Sequence, residues 1–214
     1  MHTVVLKIVS VAAVVVAGLV LQAAPARSQS RTVGEVAEIR GAATGTRQGA
    51  RPRPLELKGD VFLRDTLRTG NDARLVAQFD DGTKLTLGDS ANVVIDTFVY
   101  DPNRSIGQMA ARVAGGAFLF VGGRIEDQAR ASVRIRTPLA TLGIRGTTVW
   151  GGPIDGAYGV LVLRGRVDVR TPRGTVTLRE GQGTTLRPRR SPEPIVVWGA
   201  DKVRRAIESV TVAR

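Results

Sequence analysis

Apolar and polar positions along this chain exchange every residue or two in short runs, with glycine, proline or aspartate standing between the runs. A period of two is that of a strand with one buried face. Residues 33–39 open the pattern. In 74–79, Leu75, Ala77 and Phe79 share a face; Asp80-Asp81-Gly82 then turns the chain, and Leu85 and Leu87 return. Asp-Gly between alternating runs predicts a β-hairpin. Residues 92–100 are apolar and β-branched. Residues 110–121 hold Gly115-Gly116 within an apolar run, which predicts a bulge or a close backbone approach. Val133 and Ile135 alternate with Arg134 and Arg136, and Val167 and Val169 with Arg166, Asp168 and Arg170. Val160 and Val162 alternate with Leu161 and Leu163, so that strand is apolar on both faces and central. Val176 and Leu178 alternate with Thr175 and Thr177. Residues 41–54, rich in Gly, Ala, Arg and Pro, read as a loop with little to bury.

The densest segment is 137–147, Thr-Pro-Leu-Ala-Thr-Leu-Gly-Ile-Arg-Gly-Thr. Its spacing suits a strand, a tight turn and a reversing strand. A weak internal repeat relates residues 81–87 to 173–178. Together these features predict an all-β fold of stacked short antiparallel strands, as a sandwich or a short β-solenoid. Past residue 186, Pro188, Pro192 and Pro194 predict an extended linker. Residues 195–198 suit a last short strand. Asp201 reads as an N-cap, with Val203, Ile207 and Val210 at helical spacing, so a short helix closes the chain. So short a helix needs docking; it forms a lid on the domain or binds a partner.

The N-terminal end has another character. Lys7 precedes a run from Ile8 to Leu21 in which Ser10 is the only polar residue, and Ala24-Pro25-Ala26 follows. This reads as a signal peptide, residues 1–26, cleaved after Ala26, with an uncleaved anchor as the alternative. The run is shorter than the roughly 20 residues a spanning helix needs, and no transmembrane helix is expected after its removal. Residues 27–32 read as a disordered N-terminus, 33–186 as one β domain, and 187–214 as the linker, strand and helix. With no cysteine at all, the chain is expected to hold itself together in an oxidising compartment without disulfides.

Lys plus Arg is 31 against 19 acids, a net charge of +12. Lys58, Lys84 and Lys202 are the only lysines beyond the leader, so the charge is carried by arginine, which suits bidentate contacts to phosphate or carboxylate. Arg164, Arg166 and Arg170 fall on one face at period two, and Arg134 and Arg136 do the same. These rows face solvent or an anionic partner. Arg145, between Gly143 and Gly146, bonds carbonyls across the turn or projects into a groove. Nucleic acid is disfavoured: aromatics are 4% of residues, which leaves few stacking platforms.

The single histidine is His2, inside the leader. Without histidine or cysteine, the rest of the chain lacks His-based triads, cysteine nucleophiles and the usual zinc sets. No metal and no cofactor is expected. Asp80/Asp81 and Asp60/Asp65 are the carboxylate pairs open to acid–base work. Both lie in turn-like sequence, where aspartate caps backbone amides. Gly115-Gly116 and Gly122-Gly123 lack the Lys-Ser/Thr ending of a phosphate loop.

With these residues in place, the chain resembles the FecR domain family of envelope sensors. The resemblance runs through Gly59-Asp60, Leu67, Thr69, Gly70, Ala73, Leu75, Asp81, Gly82, Leu85, Leu87 and Gly88. It is densest at Thr137, Pro138, Ala140, Gly143, Ile144, Arg145, Gly146 and Thr147, and continues through Val162, Leu163, Gly165, Val167, Val169, Leu178, Gly181 and Gln182. It implies an all-β periplasmic domain of a Gram-negative bacterium with a non-enzymatic sensing role in signal transduction. The sensor that names the family adds a cytoplasmic segment acting on a sigma factor and a part that contacts an outer-membrane transporter. Little precedes Ile8 or follows Leu186 here, so the β domain carries over better than the circuit. The expected function is recognition of an envelope protein or ligand. The alternative is a structural module that binds anionic envelope polymer, lipopolysaccharide or peptidoglycan, through Arg134, Arg136, Arg145, Arg164, Arg166 and Arg170.

Overall fold

The computed structural model describes residues 31–212. The signal peptide expected at 1–26, with its expected cleavage after Ala26, lies outside the described residues, as does 27–30 of the segment read as disordered; Thr32 already belongs to a strand. The strands are β1 (Thr32–Arg40), β2 (Ala43–Thr46), β3 (Arg53–Pro54), β4 (Asp60–Phe62), β5 (Thr66–Thr69), β6 (Arg74–Phe79), β7 (Lys84–Leu87) and β8 (Asn92–Asp101). After these come β9 (Ile106–Gly115), β10 (Phe118–Val121), β11 (Arg130–Arg136), β12 (Thr141–Ile154), β13 (Ala157–Thr171), β14 (Gly174–Arg179), β15 (Gln182–Leu186) and β16 (Val196–Val197). A single 3-10 turn, Arg124–Asp127, links β10 to β11, and helix α1 (Ala200–Glu208) ends the chain.

The all-β class expected from the sequence is present. All the strands belong to one sheet that curls over its own core as a half-barrel. The predicted hairpins form where the turn residues stand: β6 pairs with β7 across Asp80-Asp81-Gly82, and β11 with β12 across 137–140. β13 is central, bonded to β12, β14 and β15. Its two apolar faces serve two clusters. Val160 and Val162 join the main core with Phe79, Phe98, Phe118 and Phe120, where Phe79 and Phe98 stack at 5.2 Å. Leu161 and Leu163 face a smaller cluster built on Trp150, Trp198, Ala206 and Val210. Among the described strands β9 and β11 form the one parallel pair. The Gly116 side of the glycine pair is a close approach, since a Cβ there would lie 2.5 Å from Ala91 Cα.

Two sequence expectations need correction. Residues 41–54 are not loop: β2 pairs with β5, and β3 pairs with β2. Its inward positions are Ala43 and Gly45, too small to register as an apolar stripe. The segment is held instead by Arg53, which donates to both carboxylate oxygens of fully buried Asp65 at 3.1 and 2.6 Å. At the other end, Asp201 is not the N-cap of α1. Gly199 holds that position, and Asp201 sits in the first turn paired with Arg204. The helix buries Ala206 rather than Ile207, Val210 just past it is buried too, and the end docks where Trp150 Nε1 donates to Ser209 Oγ at 3.1 Å. Trp198 meets Trp150 edge-to-face at 5.9 Å, while Lys202 and Arg205 pair with Asp155. Among the described residues no helix is long and apolar enough to cross a membrane.

Asp81 ties the β6–β7 hairpin to the 3-10 turn. It is 1% exposed, and its carboxylate accepts from Thr83 N at 3.0 Å, Thr83 Oγ1 at 2.7 Å and Ile125 N at 2.9 Å. Asp81→Ala leaves these donors buried without an acceptor, at about 1–3 kcal/mol for each such group. A loss of at least about 3 kcal/mol is expected in urea unfolding. Asp81→Asn, which keeps one oxygen, is expected to lose less than Asp81→Ala.

Candidate functional site

The motif at 137–147 has three mechanical parts. Thr137–Ala140 makes the turn: Thr137 N donates to Ala140 O at 2.8 Å, and Ala140 N donates to Thr137 Oγ1 at 3.0 Å. Thr141 to Ile144 then pairs with β11, Leu142 and Ile144 pointing into the core. At Gly146 the strand bulges, and from Thr148 onward the same edge pairs with β10. β12 thus exchanges one neighbour for another within a few residues. Gly146 takes φ +62°, and Gly165 opposite takes φ +83°, both in the left-handed region that glycine occupies without strain. A side chain on Gly165 would run into the Gly146 carbonyl.

Glu126, from the 3-10 turn, fills the space between the two partners of β12. Its carboxylate accepts from Gly146 N and Thr147 N, each at 3.0 Å. Thr147, 4% exposed, closes the bulge from the other side: Arg145 N donates to its hydroxyl, which donates to Arg166 O, both at 3.1 Å. Burial raises the Glu126 pKa, against the lowering effect of these two amides.

The same bulge shifts the phase of β13. Val160 and Val162 point inward before it, Val167 and Val169 after it. Arg164 is therefore out of step with Arg166 and Arg170, and the expected three-arginine row does not form. Arg164 lines a separate depression beside Glu126, Asp127 and Arg124.

The remaining arginines assemble on the outer face of β9, β11, β12 and β13. Arg134 pairs across to Gly143, and Gly143 to Asp168; Arg145 stands opposite Arg166, and Arg166 opposite Arg179. Arg136 lies beside Arg112 on one side and Thr141 on the other, and Thr141 beside Arg170. A groove of about 360 Å³ over Gly143 is lined by Arg134, Arg145, Arg166 and Arg170. Arg134 and Arg136 also border an adjoining groove of about 360 Å³ with Arg112. Arg112 is held by Asp96 at 2.7 Å, and Arg170 lies 3.9 Å from Asp168. Among the described residues Arg134, Arg136, Arg145, Arg166 and Arg179 make no ion pair.

Of the arginines expected from the sequence as candidates, the structure brings Arg134, Arg136, Arg145, Arg166 and Arg170 to one face and sets Arg164 apart. The sequence expectation missed Arg112, Arg179 and Glu126. Arg112 alternates with buried Ala111 and Val113, which was a usable signal; its place beside Arg136 depends on the parallel pairing of β9 and β11 and was not. The carboxylates once open to acid–base work are divided. Asp65 holds Arg53 and Phe62 N, while Asp81 holds the 3-10 turn. No cluster of three or more His, Cys, Asp or Glu suited to a metal occurs among the described residues.

The curled sheet and its motif turn define an all-β domain. The family model described as FecR protein matches residues 65–168, and the chain carries a FecR domain over that segment. Two crystal structures of a proposed anti-sigma factor from Parabacteroides distasonis ATCC 8503 share the fold, with TM-scores of 0.52 and 0.51. Each is 16% identical to this chain; the likeness covers 65% of this chain and 62% of the solved one. No curated protein matches the chain.

A side chain on Gly122 would overlap the Glu126 carboxylate. Gly122→Ala is therefore expected to push Glu126 off the Gly146 and Thr147 amides and to speed their hydrogen exchange. Acidity offers a second test. The folded state holds the Glu126 proton more tightly than the unfolded chain does. The contribution of this group to stability is thus full below the ordinary value of 4.5 and is lost as pH rises through the higher folded value. Relative to Glu126→Gln, the wild type is expected to lose stability as pH rises above 4.5, read by urea unfolding across the pH series.

Proposed function

We propose that the protein is a non-catalytic sensing or adaptor domain of envelope signalling. It works in the periplasm and recognises an envelope protein or ligand on the outer face of β9, β11, β12 and β13. The observation that carries this reading is the division of labour among charges. The buried carboxylates Asp65 and Asp81 are committed to backbone amides and to Arg53, as Glu126 is to the β12 bulge. By contrast, Arg134, Arg136, Arg145, Arg166 and Arg179 face outward together and make no ion pair among the described residues, while Arg112 and Arg170 lie against Asp96 and Asp168. Such a surface holds a ligand; it does not transform one.

The FecR domain at 65–168 supports a regulatory role in the envelope. The shared fold of a proposed anti-sigma factor points the same way, toward control by binding. A basic domain that meets the envelope also meets its anionic groups.

In-cell photo-crosslinking tests this reading. A benzophenone side chain at Ser132 or Thr141, both lining the groove, is expected to give a discrete adduct. The same group at Val197, 76% exposed on the edge strand β16, is expected to give none. Adducts from Val197 alone, or from none of the three positions, would overturn it.

A further inference from the structure

The chemistry of the arginine face identifies the ligand more closely, on the reading that this face recognises an envelope component. We propose that the paired grooves over Gly143 and Thr141 bind the phosphate groups of a phosphorylated envelope glycolipid of the lipopolysaccharide type.

Three observations lead there. The first is the glycine. A Cβ on Gly143 would meet Asp168 Cβ at 3.8 Å and Asp168 O at 3.9 Å, ordinary contact distances, and its backbone is not left-handed. Neither packing nor conformation requires glycine there, in contrast to Gly146. What its bareness does is keep the floor open between Arg134 and Asp168. An occupant approaching the backbone uses that opening.

The second is the repeated site. The two grooves share Arg134 and Thr141. Arg145, Arg166 and Arg170 border the first, and Arg136 and Arg112 the second. Asp168 accepts from Thr177 Oγ1 at 2.8 Å and lies against Arg170; Asp96 is occupied by Arg112. Each groove therefore presents unneutralised guanidinium forks, whose geometry matches phosphate oxygens in pairs. Two adjoining anion sites suit a ligand with more than one phosphate.

The third is what the face lacks. Between the arginines stand Ser132, Thr141, Gly143, Thr175, Thr177 and Asp168, and the apolar residues lining the grooves are small alanines or, like Val133 and Ile144, buried. The exposed large apolar residues Leu57, Ile195, Val196 and Val197 all lie elsewhere. A protein partner would find no apolar or aromatic centre on which to close. Hydroxyls and arginines do suit the sugar hydroxyls and phosphates of a glycolipid.

The exported protein is titrated with neutral lipid vesicles carrying lipopolysaccharide, with the same vesicles after enzymatic removal of phosphate, with free pyrophosphate, and with polyglutamate. Salt-sensitive binding to the phosphorylated vesicles is expected. It should fall at least about tenfold on dephosphorylation and in the triple variant Arg134→Gln, Arg145→Gln, Arg166→Gln. Gly143→Val keeps the charge and fills the floor, and is expected to weaken binding with an unchanged melting temperature. A control triple, Arg40→Gln, Arg68→Gln, Arg190→Gln, removes equal charge elsewhere and should bind as wild type.

Equal binding to dephosphorylated vesicles, or an equal loss in the control triple, would reduce the effect to bulk charge and overturn the proposal. Binding of pyrophosphate without the glycolipid would overturn it in favour of a free anion. Preference for polyglutamate, with crosslinks from Ser132 or Thr141 intact, would overturn it and leave the recognition reading standing. Absence of both vesicle binding and crosslinks would end both.

Discussion

The change of partner along one edge of β12 is the constraint on which the rest of the site depends. A strand bonded to β11 at Leu142 and to β10 at Val149 must bend between them, and a bend exposes amides that neither neighbour can accept. Glu126 accepts two of them. It can do so only because the 3-10 turn is fixed, and that turn is fixed by Asp81, 44 residues away from Ile125. The β6–β7 hairpin, the 3-10 turn and the motif are thus one mechanical unit joined through two carboxylates. Losing Asp81 leaves buried donors, which are costly inside the fold, whereas losing Glu126 frees the part-buried Thr147 amide and the exposed Gly146 amide.

The bulge does more than absorb the bend. It reverses which side chains of β13 face outward, so that Arg166 comes to stand across from Arg145 while Arg164 is turned toward the acids of the 3-10 turn. The composition of the arginine face therefore follows from the bulge and not from residue spacing alone. Behind the arginines, Val167, Val169, Leu142 and Ile144 face the main core. Farther along the outer side of the same strands, Leu161 and Trp150 are covered by Trp198 and α1, so the open outer surface of β12 and β13 is the basic end.

Much of this architecture can be read from alternation. Inward residues of β6, β7, β11, β13 and β14 are apolar at period two, and the turn residues Asp81-Gly82 and Thr137-Pro138 mark two hairpins. β2 and β3 were illegible because Ala43 and Gly45 carry no apolar stripe and the force that holds them, the Arg53–Asp65 pair, acts across the fold. The same limit hid Glu126, whose donors lie 20 and 21 residues ahead. Arg164 was misgrouped for a different reason: Gly165 was visible in sequence, but that it flips the phase of β13 depends on Gly146 across the ladder. The parallel pairing of β9 with β11, which brings Arg112 to Arg136, had no local signal at all.

Like charges directly opposed on a sheet cost stability, by an amount comparable to what a good cross-strand pair contributes. Here Arg145, Arg166 and Arg179 are opposed in series, and Arg112 lies beside Arg136. Asp96 compensates one of these and Asp168 lies near Arg170; the rest project into solvent. Solvation makes that arrangement tolerable, but it does not account for a bare glycine at the centre of the array, where a Cβ would meet only ordinary contacts and a residue of higher strand propensity would support the sheet better. Stability alone would favour filling that position. A surface that leaves it bare, with Asp96 and Asp168 neutralising only Arg112 and Arg170 while its supporting bulge is specified by carboxylates beneath it, is what the proposed anion site requires.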